Sequence, residues 1–154
     1  MIQRIQTLYL LLAALLTGAC LFLPLAHYTD GTAEYTLRAS MLSDGESVSM
    51  LPTLYLCILM ALSTLLPFVT IFLFKHRLLQ VRLCVVELVL LAGCVIMEGI
   101  YCYLAYRAVS ELPFGAVSIG VWTILPLIAI VFVVLAFRAI FRDEMLVRSL
   151  DRIR

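Results

Sequence analysis

Residues 83–106 read LCVVELVLLAGCVIMEGIYCYLAY, an apolar run interrupted by charge only at Glu87 and Glu98. A helical bilayer crossing takes about 20 residues at about 1.5 Å each, so this stretch is long enough to span. Three charge-free runs accompany it, at 8–26, 53–74 and 116–137. Backbone amides in hydrocarbon must be paired within their own segment, so each run is expected to be a helix. The whole chain agrees: 64% of its 154 residues are hydrophobic, 14% are charged and mean hydropathy is +1.11. Soluble domains run about 45–50% apolar and about 25% charged. A soluble enzyme, a disordered tail and a secreted disulfide scaffold are all excluded. The expected fold is an all-α integral membrane protein, one up-down bundle of four transmembrane helices.

Basic residues orient the bundle. Arg4, Lys75, Arg77, Arg82, Arg138, Arg142, Arg148, Arg152 and Arg154 fall at one end, and only Arg38 and Arg107 at the other. The positive-inside rule then places both termini and the middle connection in the cytoplasm. Pro24, Pro67 and Pro126 fall inside spans and should kink or end their helices. Leu16-Thr17-Gly18-Ala19-Cys20 loosely fits a lipoprotein cleavage box, but the apolar run continues through Ala26, so the first helix is read as uncleaved. All five cysteines lie in spans without a CxxC pair, which suits apolar fillers better than redox chemistry.

The outer loop, 28–51, has strand character. Ala33, Tyr35, Leu37, Ala39 and Met41 alternate with Glu34, Thr36, Arg38 and Ser40, and Asp30-Gly31 and Asp44-Gly45 supply turns. A hairpin or short meander capping the helices is expected, resting on the bundle or on a partner. Inside, residues 138–154 continue the fourth helix as a basic cytoplasmic tail with apolar positions at helical spacing. Either a membrane-surface helix drawn to anionic lipid or a docking helix for a partner fits that pattern.

Two constellations are candidates for function. Glu87 and Glu98 lie eleven residues apart, which places them on one helical face about 16 Å apart along the axis. Cys94 and Tyr101 share that face, and Gly93 and Gly99 flank it, where they would allow a neighbouring helix to approach. Carboxylates at membrane depth are costly and usually have a use. A proton or cation relay is one reading. The other is structural: Glu87 reaching Arg82 or Arg138, and Glu98 protonated or bonded to Tyr101 or a hydroxyl across the bundle. The second constellation is cytoplasmic: Arg4, Arg142, Asp143, Glu144, Arg148, Asp151 and Arg152, charges of both signs suited to docking.

No catalytic machinery is legible. His27 and His76 sit at loop edges outside any metal-ligand spacing, no phosphate-binding loop exists, and Ser63 and Ser118 lack a nearby histidine. Trp122, Tyr101, Tyr103 and Tyr106 suit an interfacial belt. No cofactor, metal or nucleic acid is expected, and a net charge of +1 gives the last no electrostatic case. The expected partners are the lipid bilayer and a membrane protein or a second copy.

The opening Met1-Ile2-Gln3-Arg4-Ile5-Gln6-Thr7 and the closing 142–154 stretch, RDEMLVRSLDRIR, resemble a domain-of-unknown-function family of small four-helix membrane proteins from the Bacteroidota. The resemblance covers the whole chain. It implies a multi-pass protein of the bacterial inner membrane and no activity. Together these readings lead to a non-catalytic accessory or interaction subunit, with a small proton- or cation-coupled transporter or channel as the alternative.

Overall fold

The computed structural model describes residues 3–29, 34–39, 42–43, 53–73, 77–110 and 116–151. Four helices carry the apolar runs: α1 (Gln3–Phe22), α2 (Leu54–Phe72), α3 (Arg77–Ser110) and α4 (Leu125–Asp151). All four are long and apolar enough to cross a membrane. They pack as a square, with α1 and α3 each against both α2 and α4. Short, small side chains let the backbones approach: Ala13, Ala14, Ala129 and Ala136 are all buried. Gly18 helps, since a Cβ there would sit 3.3 Å from Thr64 Cγ2 of α2. Gly99 does not serve such an approach, because nothing lies within 4 Å of where its Cβ would be.

The outward faces are as apolar as the core. Leu15, Leu62, Leu65, Val89, Ile96 and Val131 are all exposed. Apolar patches of that extent face hydrocarbon or a partner, not water.

The cap is larger than the expected hairpin. Strands β1 (Ala26–Thr29), β2 (Glu34–Leu37), β3 (Leu42–Ser43) and β4 (Ala116–Ile119) form one antiparallel sheet in the order β3-β2-β1-β4. The Asp30-Gly31 turn, Met41 and the 44–50 segment lie outside the described residues. Two sequence boundaries need correction. Ala26 belongs to β1 rather than to the first span, and residues 116–119 form β4 rather than the start of the fourth span, so Ser118 is a strand residue. A short apolar run leading into a helix has no periodicity of its own, and pairing with β1 decides its state. A 3₁₀ turn, Val121–Ile124, then leads into α4. Pro126 therefore stands in the first turn of α4, where its missing N–H costs nothing. Pro24 follows the end of α1 as expected, and Pro67 lies within a continuous α2.

The backbone of Leu25 ties the cap together. Its N–H donates to Leu37 O at 2.7 Å, while its carbonyl accepts from Gly120 N at 2.9 Å and from Thr123 Oγ1 at 2.8 Å. Tyr28 pins the sheet to α3, its hydroxyl donating to Cys102 O at 3.1 Å. Burial, with Cys102 alongside, pushes the Tyr28 phenol well above its ordinary value of 10.0. As pH rises the unfolded chain loses this proton first, so the contribution is intact below pH 10 and is lost above it. Tyr28→Phe is expected to cost about 1 kcal/mol at neutral pH. It should also flatten the alkaline fall in stability. Thermal unfolding in detergent between pH 8 and 11 checks both effects, and parallel curves for the two proteins contradict the second.

Candidate functional site

Glu87 and Glu98 are buried because of where they fall in a stripe. Glu87, Leu91, Cys94, Glu98, Tyr101 and Ala105 recur at alternating spacings of four and three, and all six are buried. That spacing is the seam of a helix packed against its neighbours. On α2 the residues Leu56, Met60, Ser63, Pro67 and Thr70 form the matching seam. The two seams meet at a buried hydrogen bond, Ser63 Oγ donating to Glu87 Oε1 at 2.8 Å.

This bond replaces the arginine contact that the sequence suggested for Glu87. Arg82 and Arg138 are exposed, whereas Glu87 is only 1% exposed. Its second oxygen, Oε2, has no hydrogen-bond partner, and neither has Glu98 Oε1. Pro67 adds to the polarity of this level. It has no N–H for the carbonyl four residues earlier, so Ser63 lacks its intrahelical donor.

Leu91 and Cys94 separate the two carboxylates along the seam of α3. Thr17, Cys20, Met60, Leu91, Cys94 and Pro126 line a crevice there that has no room for a water molecule. Thr17 satisfies its hydroxyl within α1, on Ala13 O and Ala14 O at 3.0 and 3.2 Å. Tyr101 is buried on the seam, while Tyr103, Tyr106 and Trp122 are exposed as an interfacial belt requires.

The second candidate lies at the opposite end from the sheet. Arg142, Asp143 and Glu144 follow one another on α4, and Gln6 Nε2 of α1 donates to Asp143 Oδ2 at 3.1 Å. Arg148 and Asp151 fall on the last turns of α4, and Arg4 on the first turn of α1. Arg152 lies outside the described residues. Nearby, Gln80 Nε2 donates to Thr70 O at 3.0 Å and satisfies a carbonyl near the end of α2. Among the described residues no group of three metal-ligating side chains forms.

Sequence reasoning passed over Ser63 and Gln6. Ser63 was considered only as a nucleophile, yet its place in the four-three seam of α2 already aimed it at the core. A family model described as a domain of unknown function, DUF4293, matches residues 2–153. The chain belongs to that family. No curated protein and no solved structure matches it. Membership of DUF4293 brings no activity with it, so the residues themselves must carry any functional reading.

Proposed function

We propose that this chain is a non-catalytic accessory subunit of a bacterial inner membrane, with its termini and basic end in the cytoplasm and its sheet outside. The observation that carries the reading is the length of α4. The helix continues to Asp151, two turns beyond the Gln6–Asp143 contact between α1 and α4. Past that contact, Met145, Leu146 and Val147 are exposed among charged positions. A helix end that carries exposed apolar residues among charges suits a protein partner better than bulk lipid.

Stopping the chain after Asp143 tests the docking role. The full chain, tagged and drawn from its own host's membranes in mild detergent, is expected to bring a stoichiometric membrane-protein partner. The shortened chain should lose that partner by about tenfold or more. A full chain that purifies alone, or a partner kept after truncation, defeats the proposal.

Coupled proton or cation transport is the second reading, favoured by the unpartnered oxygens of Glu87 and Glu98. The crevice beside Leu91 and Cys94 has no room for a water molecule, which counts against a path through it. Proteoliposome flux that survives Glu87→Gln and Glu98→Gln would remove it.

A further inference from the structure

Between the first turns of α1 and the last turns of α4 lies an open-sided groove of about 480 Å³. Its α4 wall is built from Leu135, Arg138, Ala139 and Arg142, positions that share one helical face. Its α1 wall is Ile5 and Tyr9, one turn apart. The chemistry is graded along the groove. Toward the middle of the bundle it is apolar, and Tyr9 continues onto Phe132 with ring centroids 6.3 Å apart. Ala139 keeps the centre open. Toward the helix ends it carries two exposed guanidinium groups, and among the described residues neither has a hydrogen-bond or ion-pair partner. Among the described residues that line the groove, Asp143, turned onto Gln6, is the single carboxylate.

We infer that this groove holds one anionic phospholipid, its phosphate on Arg138 and Arg142 and an acyl chain along Leu135 and Tyr9. Guanidinium groups at the level where an apolar wall ends match the junction of phosphate and acyl chain in a leaflet. Two guanidinium groups against one carboxylate leave the rim net positive, which favours an anionic over a zwitterionic headgroup. The inference rests on the bilayer insertion proposed above and is independent of the docking role. Truncation after Asp143 leaves every groove residue in place.

The test uses the full chain in nanodiscs of equal parts phosphatidylglycerol and phosphatidylethanolamine. The lipids that stay bound after transfer to detergent are counted by native mass spectrometry. One phosphatidylglycerol per chain is expected, preferred over phosphatidylethanolamine. In R138Q/R142Q that preference should fall by about thirtyfold. Ala139→Leu, which fills the groove and keeps both arginines, should also lose the bound lipid. Millimolar glycerol 3-phosphate should not displace the lipid, because it lacks the apolar half. Equal retention of the two lipids, a preference for phosphatidylethanolamine, displacement by the free phosphate, or unchanged retention in either variant overturns the assignment. A chain that never enters the discs overturns the bilayer reading beneath it.

Discussion

Ser63→Ala is expected to destabilise the bundle by about 1–2 kcal/mol, more than the average hydrogen bond between membrane helices is worth. The bond itself is not the main loss. Glu87 already has one oxygen without a partner, and removing the Ser63 hydroxyl leaves the whole buried carboxyl unsatisfied. The reverse substitution behaves differently. Glu87→Met fills nearly the same space with an adaptable apolar chain, and the freed Ser63 hydroxyl can turn back onto its own helix. Glu87→Met should therefore cost less than Ser63→Ala, and the double variant should match or exceed the wild type. Unfolding midpoints of the four proteins in mixed micelles measure this directly. A silent Ser63→Ala, or a Glu87→Met that is the worse of the two, contradicts the account. If Glu87→Met stabilises the protein but abolishes its role in the host, the carboxyl is retained for use rather than for folding.

Gly120→Ala should cost about 1–3 kcal/mol, for a steric reason rather than a conformational one. Gly120 has φ −66 and ψ 142, an ordinary extended backbone that any residue adopts. A Cβ there, however, would stand 2.7 Å from Leu25 O and 2.9 Å from Pro24 O. Both are backbone atoms, so no side chain can swing aside. Relieving the clash pulls Leu25 from the two donors that its carbonyl accepts, Gly120 N and Thr123 Oγ1. Gly99→Ala is the matched control. It sits in α3 with open space around its Cβ and should stabilise the protein by about 0.5–1 kcal/mol through helix propensity. Opposite signs for the two alanines are the expected result. Equal effects would mean that the approach of Gly120 to Leu25 is not what holds β4 in place.

Most of the helical framework was legible because length and charge depletion depend on composition alone. The four long apolar helices, the strand character of the outer loop and the helical continuation past residue 137 could all be read from residue types in order. What could not be read depends on which segments meet. β4 looked like the start of a span because Ala116–Ile119 is apolar and short, and only β1 makes it a strand. Glu87 and Glu98 were correctly placed on one face by their spacing. The partner of Glu87 was mistaken, because arginines attract attention and a serine in an apolar seam does not. Gly93 and Gly99 were read together as points of close approach. Gly93 has Leu59 Cδ2 3.5 Å from its virtual Cβ, an ordinary contact, and Gly99 has nothing.

The pairing order of the cap has a consequence for biosynthesis. β1 is a central strand, and its neighbour β4 is supplied by the connection that follows α3. The Thr123–Leu25 bond that secures them joins positions 98 apart. A ribosome therefore delivers β1 long before the strand that completes it. Until residues 116–123 emerge, one edge of β1 stays unpaired and the Leu25 carbonyl lacks both of its donors. Closure of the sheet thus reports that the connection after α3 has emerged, ahead of the last helix, and a chain arrested before that connection presents an open strand edge that quality-control proteases can seize.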